Sequence, residues 1–325
     1  MAATERDIRE QMASGKPVRP SLLRMAFKAL GDTPLTTPGF FNARIAPCPD
    51  LIKRNLLEDL LHYAGFGMRT KAETIFRIYP SLLVWRGKLT DIAKMTYEKI
   101  TAFEYAVLVK DSYFVRKVVD FLETYHGEDK RELVTNLLEQ FDRCFNRERL
   151  AAVNGFIEAS DAWRAAFLTR NWPDRDRHFV QDVGESQAKF PAHILQEYCH
   201  PTRSFEPTPK FSEAELPECL DFYNCNNRAM ASLLAYSPGG TSNFALLRAA
   251  RCGGVGGTGG NRDVWERAGQ QQGDLEIDCV AMDALDRART TDLLALRERL
   301  AAILTADDSL TPNAPMPGCS SSVPS

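Results

Sequence analysis

Residues 99–111 read KITAFEYAVLVKD, and the placement of Thr101 and Glu104 in that stretch decides the fold class. A threonine followed three residues later by a glutamate, just ahead of an apolar run, has the spacing of a capping box. The Thr hydroxyl accepts from an amide of the first turn and the Glu carboxylate reaches back to the cap amide. Two backbone donors that a helix start leaves without partners are thereby satisfied. Ala102, Phe103, Ala106 and Val107 follow at helical spacing, with the small Ala106 where a neighbouring helix must come close. Asp111 and Ser112 end this helix and open the next. In that one Phe114, Val115, Val118, Val119 and Leu122 recur at i, i+1, i+4, i+5 and i+8.

The same pattern lies upstream. Leu56, Leu57, Leu60, Leu61 and Ala64 share one helical face, and Gly65 and Gly67 break it. Thr70 and Glu73 repeat the capping-box spacing ahead of Ala72, Ile75 and Phe76, and Pro80 disfavours helix at Tyr79. Residues 56–79 and 101–123 therefore each read as helix, tight turn, helix, with Ala64 and Ala106 in corresponding places. Phe103 and Phe114 are expected to be shielded between the two units. The intervening 82–100, LLVWRGKLTDIAKMTYEKI, lacks helical periodicity and is expected to form a finger or loose hairpin.

Beyond the pairs, Leu133, Val134, Leu137, Leu138 and Phe141 form one stripe. Val153, Phe156, Trp163 and Phe167 form another, with Ser160 in its middle. Longer helices there are expected to close the end of a short stack, covering a face that would otherwise meet water. Residues 171–224 are rich in Pro, aromatics and charge, which predicts an ordered but irregular wrap. RCGGVGGTGGNR at 251–262 reads as a mobile loop. A final amphipathic helix is predicted over about 282–304, carried by Met282, Leu285, Leu293, Leu296, Leu300 and Ile303. The predicted organisation is an N-terminal arm over 1–50, a helical stack over 51–170, an irregular and helical region over 171–305 packed on the stack, and a disordered tail over 306–325.

Composition narrows the function classes. Hydrophobic residues make up 44% of the 325 and charged residues 26%, as in an ordinary globular chain. A net charge of −3 supplies no global attraction to nucleic acid or anionic lipid. Eight cysteines without a CxxC read as reduced thiols in a cytoplasmic setting. No apolar run approaches the about 18–20 residues needed to span a bilayer, and MAATERDIREQ lacks the apolar core of a secretory signal.

Thr101-Ala102-Phe103-Glu104-Tyr105-Ala106 resembles the TPLHxA start of an ankyrin repeat. Ala102 replaces the usual Pro and Glu104 the usual His, so the Thr–His bonding that knits ankyrin arrays is absent. The offset from Ala64 to Ala106 also exceeds the usual repeat of about 33 residues, a difference that the 82–100 finger can absorb. Together with HPTRSFEPTPKF, LPECLDFYN and LDRARTTDLLALRERL, the chain resembles ankyrin-related proteins of intracellular bacteria such as Legionella and Coxiella. The resemblance implies a mainly α fold, a degenerate ankyrin-like stack of helix pairs capped by longer helices. It also implies a non-enzymatic protein–protein interaction module, an effector or adaptor delivered into a host cell. Ankyrin-like stacks recognise partners on the concave side that fingers and first helices line. The finger would offer Trp85, Arg86, Lys88, Tyr97 and Lys99, of types that dominate interface energetics, although a Trp buried beneath the finger explains Trp85 equally well.

Other constellations carry less. His193, Cys199, His200, Cys219 and Cys225 cluster in sequence, but without a paired CxxC or HxxxH the spacing fits buried thiols and surface imidazoles better than zinc. An enzyme using Cys199 or Cys225 as thiolate and His178 or His200 as base is the alternative function, with no local signature to single out either thiol. GGVGGTGGN lacks the Lys-Ser/Thr pair of a phosphate loop. RDRH at 175–178, near Arg170 and Trp172, could face RNA, but Asp174 and Asp176 offset its charge. No metal or cofactor is expected; the expected partner is a protein, not nucleic acid.

Overall fold

A computed structural model describes residues 49–145, 151–224, 229–235, 244–248, 255–259 and 273–308. The expected arm over 1–50 and tail over 306–325 lie outside these residues apart from their inner ends. The chain is mainly helical. α1 (Pro49–Gly65) buries Leu56, Leu57, Leu60, Leu61 and Ala64. Gly67 turns the chain at a φ of +66°, where an added Cβ would come within 2.8 Å of the Ala192 methyl, so this corner requires glycine. α2 (Arg69–Ile78) buries Ala72, Ile75 and Phe76 and stops ahead of Pro80, which opens a 3-10 turn over Pro80–Val84.

The capping box expected at Thr70 and Glu73 does not form. The helix begins at Arg69, so Thr70 lies inside its first turn, and the cap residue Met68 contributes no side-chain bond. The Thr70 amide and hydroxyl donate to Glu218 Oε1 at 2.6 and 2.9 Å. Glu73 is drawn instead to Arg77 and Lys117.

β1 (Gly87–Thr90) and β2 (Thr96–Ile100) form an antiparallel hairpin at the place of the expected finger. The register slips between Gly87 and Leu89, and Lys99 in β2 adopts a φ of 53°, the signature of a bulge. Buried Asp91 ties the turn: it accepts from the Met95 amide at 2.9 Å, and the Ile92 amide donates to Gly65 O at 3.2 Å.

α3 (Ala102–Leu108) starts on the predicted capping box, with Thr101 accepting from the Glu104 amide and Glu104 accepting from the Thr101 amide. Asp111 caps α4 (Ser112–Thr124), accepting from the Phe114 amide at 3.1 Å. α1 packs on α3 and α2 on α4, and α5 (Lys130–Phe145) lies against α3. Phe103 and Phe114 are both fully buried, and the Phe76 ring meets Phe114 edge-on at 6.1 Å. Each such side chain contributes about 1.5–3 kcal/mol on leaving water.

A second core follows. α6 (Ala151–Leu168) was expected to close the stack; its Val153, Phe156 and Trp163 pack instead with Phe179, Phe190, Tyr198 and Phe205 in a separate cluster. The irregular wrap is also corrected over 172–198. α7 (Trp172–Arg177) runs through a π-helical segment (His178–Val183) into α8 (Gly184–Gln187), and α9 (Ala192–Tyr198) follows. Asn171 caps α7 and Pro173 occupies its first turn, positions that both residues favour and that the proline count concealed. Residues 199–220 contain no helix or strand.

β3 (Asp221–Asn224), β4 (Ala229–Ser232), β5 (Phe244–Arg248) and β6 (Val255–Gly259) form a sheet in the order β4-β3-β6-β5, with β3 and β6 parallel. The glycine-rich stretch is thus a strand at 255–259, where pairing on both edges supplies the order its side chains cannot. The rest of 251–262 lies outside the described residues.

α10 (Gly273–Asp308) is 36 residues long, extending past both predicted ends. At 1.5 Å per residue such a helix measures about 54 Å. Its first half gives Leu275, Met282 and Leu285 to the second core; its second half gives Leu293, Leu296, Leu300 and Ile303 to the first. Among the described residues no helix is long and apolar enough to cross a membrane.

Candidate functional site

The hairpin presents one face to solvent. Leu89 is buried on its inner side, while Lys88 and Glu98 pair in the open at 2.8 Å. Trp85, at the end of the 3-10 turn, stays 37% exposed with Lys53 Nζ 5.8 Å from its ring centre. Arg86 donates to Lys99 O at 3.1 Å and pairs with Glu104. Lys99 is exposed at the bulge. Tyr97 turns partly inward: its ring meets Tyr105 at 5.2 Å and its hydroxyl donates to Asp91 at 3.2 Å. Burial raises the Asp91 carboxyl, opposed by the bonds from Met95, Tyr97 and Tyr105.

Glu104 binds this face to the stack. It is 3% exposed, and its Oε1 accepts from Arg86 and, at 2.7 Å, from Arg143 of α5. Thr101 Oγ1 donates to Gln140 of α5 at 2.6 Å. Thr101 and Glu104 thus hold two helices together through charge and amide partners where a Thr–His pair is absent.

A second polar region lies where the two cores meet. Arg289 of α10, 1% exposed, donates to Ser112 Oγ at 3.2 Å and to Phe211 O at 2.7 Å, and its guanidinium lies 4.2 Å from the centre of the Tyr113 ring. Arg69 approaches the same ring at 5.4 Å, pairs with Asp111 at 3.5 Å and donates to Leu216 O at 3.0 Å. Fully buried Glu197 accepts from the Tyr113 hydroxyl at 2.9 Å, pairs with Arg203, and stands 3.6 Å from Arg289. Burial raises its carboxyl against the pull of Arg203 and Arg289. His193 is also buried, and loss of solvent holds its imidazole down to about 4, so it is neutral at pH 7.

Bordering this cluster at Arg69 and Tyr113, a cleft of about 760 Å³ opens between α2 and α4 on one side and residues 214–218 on the other; Arg77, Arg116, Lys117, His200 and Glu218 are among its lining.

The other sequence candidates are dispersed. Cys199 is buried in the second core, and Cys225 lies outside the described residues. His200 lines the cleft with Nδ1 accepting from the Thr202 and Arg203 amides at 3.3 and 3.1 Å. His178 is bound to Asp182 one turn on. Burial pushes the Cys279 thiol up to about 11, opposite to what a nucleophile needs. Among the described residues no group of three or more His, Cys, Asp or Glu is placed to hold a metal. In the basic run, Arg175 lies 4.9 Å over the Trp172 ring and Arg177 stands 3.5 Å from Asp174.

Sequence reading missed Arg69, Tyr113, Glu197, Arg203 and Arg289. One of them left a signal. Arg289 falls midway between Leu285 and Leu293 on the apolar face of α10, where an arginine has to find partners in the interior.

Comparison with known proteins adds kinship. No solved structure matches the chain. Residues 150–300, which include most of the second core, match the family described as the CBUA0006 C-terminal domain. Over 270 residues the chain is 27% identical to the "Uncharacterized protein CBUA0006" of Coxiella burnetii, an alignment covering 77% of this chain and 76% of that protein. The expected likeness to a Coxiella protein therefore holds as homology to CBUA0006 and its C-terminal domain, and neither name mentions an ankyrin repeat.

Proposed function

We propose that the chain is a non-enzymatic protein–protein interaction module, an adaptor or effector that recognises a partner protein through the hairpin face. Trp85, Arg86, Lys88, Tyr97 and Lys99 would supply the contacts. The observation that carries this reading is the exposure of Trp85 on a rigid support. The indole is open to solvent beside cationic side chains, while Asp91, Leu89 and Glu104 secure the inner side of the hairpin. A large aromatic that is already held in place loses little freedom on binding, which favours affinity. The ankyrin-like description belongs to the same proposal: the packing of α1 on α3 and of α2 on α4, with a hairpin linking the two pairs, supports it.

The test is proximity labelling in the relevant cell with the full chain and its Trp85→Ala and Lys99→Glu variants, with thermal unfolding as a check on folding. The proposal expects both variants to lose one labelled protein while the unfolding midpoint stays within about 2 °C of the parent, as for exposed positions. An unchanged set of labelled proteins overturns it.

A further inference from the structure

We propose that the wall of the cleft formed by α2 and α4 is a docking site for an acidic peptide segment of a partner protein, and that the chain's own residues 213–218 occupy part of that site. Four cations line the helical wall, Arg69, Arg77, Arg116 and Lys117, against two carboxylates, Glu73 and Asp120. Glu73 is shared by Arg77 and Lys117, at 2.7 Å from each. Asp120 is committed to Arg299 of α10 at 2.7 Å. Arg69 is paired with Asp111, so the positive charge left on the wall is that of Arg116 and of Arg77 and Lys117 around a single carboxylate; the strap facing it supplies Glu215 and Glu218.

Two details point to a ligand rather than to general charge balance. Arg116 is incompletely satisfied: its side chain lines the cleft 27% exposed, and Asp292, 3.8 Å from its guanidinium, is held closer by Arg289 at 2.7 Å. Glu218 behaves as a bound carboxylate would. It accepts from the Thr70 amide and hydroxyl in the first turn of a ten-residue helix whose own cap residue gives no side-chain bond. A helix start favours negative charge. Arg69 holds the strap at a second point through Leu216 O and Arg203 at a third through Glu213 at 2.9 Å, while Glu215, Pro217 and Glu218 remain exposed.

The cleft's open, mostly charged lining suits an extended acidic segment rather than an apolar ligand. One carboxylate of such a segment would take the place of Glu218 at Thr70, and another would meet Arg116. Binding then has to displace the strap, so affinity rises when the strap's contact is removed. None of the hairpin residues takes part, so this site stands or falls apart from the Trp85 reading.

The test uses the full chain and a fluorescent peptide of sequence SEAELPE, copied from residues 212–218, followed by anisotropy. The parent should bind it weakly and more weakly still at high salt. Glu218→Ala should bind about fivefold or more tightly than the parent, the ratio expected when a capping contact no longer has to be displaced. Adding Arg116→Glu to that variant should remove the gain. Glu218→Ser, whose side chain is too short to reach Thr70 as the glutamate does, serves as a second variant if Glu218→Ala fails to fold. The proposal is overturned if parent and Glu218 variants bind the peptide equally, or if none binds it. In either case Glu218 only caps α2. Equal binding of a peptide with Gln in place of each Glu also overturns it, as does full competition by millimolar inorganic phosphate, which would mark a small-anion site.

Discussion

Thr70 and Thr101 each precede a glutamate by three residues at the start of a short helix, yet Thr101 is satisfied within its own turn and Thr70 from far along the chain. Thr101 closes a box with Glu104 inside one turn. Thr70 donates to Glu218, 148 residues away, while its own Glu73 turns to two cations. The difference lies in what surrounds each start. Ile100 and Thr101 enter α3 directly from a strand, with Gln140 and Arg143 poised to complete the polar shell. α2 follows a glycine turn, begins earlier, and offers its amides to a strap from the second core. Capping-box spacing marks where a helix starts; which acid caps it depends on what else reaches that start first.

Removing Arg69 would break the distant arrangement most. It is 2% exposed and joins Asp111, Leu216 O and the Tyr113 ring, so Arg69→Ala leaves Asp111 and the strap without their partner. Loss of one member of a buried ion pair costs about 3–5 kcal/mol, to be read from urea unfolding at pH 7. A loss no larger than that of Thr101→Ala would contradict the comparison.

Acid should weaken the same region next. His193 is buried and influenced by Asp111, Arg289 and Arg69, and its folded value near 4 lies below the ordinary 6.5. The unfolded chain binds the proton first. The stability this histidine contributes is fully present above pH 6.5 and is lost as pH falls toward 4, amounting to about 3 kcal/mol. Unfolding free energies at pH 7 and 4.5 should differ less in His193→Gln by roughly that amount; equal differences would assign the acid sensitivity elsewhere.

The local cap is the next smaller effect. Thr101→Ala should lower stability by about 1–2 kcal/mol, and Thr101→Ser should restore most of it, as followed by thermal unfolding. The exposed contact at Thr70 ranks last: Glu218→Ala should cost about 1 kcal/mol, less in salt. A double-mutant cycle sharpens the contrast. Thr70→Ala should couple to Glu218→Ala and not to Glu73→Ala, whereas Thr101→Ala should couple to Glu104→Ala.

Much of the helical framework was legible because periodicity is a local property. Phe103, Phe114, Val118 and Leu122 are buried where their spacing puts them, and Met282 through Ile303 line one face of α10. Trp172–Gln187 was misread because Pro173 was counted as a breaker when it sits in a first turn. The hairpin face could be anticipated from its lack of helical period and its aromatic and basic residues. The cleft could not: its walls come from residues 69–120 and 200–218, and the motifs read in those stretches mark helix starts, not the approach of one wall to the other.

The sequence alone determined which residues of the helical stack turn inward and where α3 and α4 start, because those choices depend on side chains within one or two turns of each other. Tertiary structure decided the partners of the charges: Glu218 for Thr70, Arg143 for Glu104, Glu197 and Ser112 for Arg289. The physical reason is that a buried ion must find its counter-charge wherever folding brings one within reach, and no local pattern records that distance.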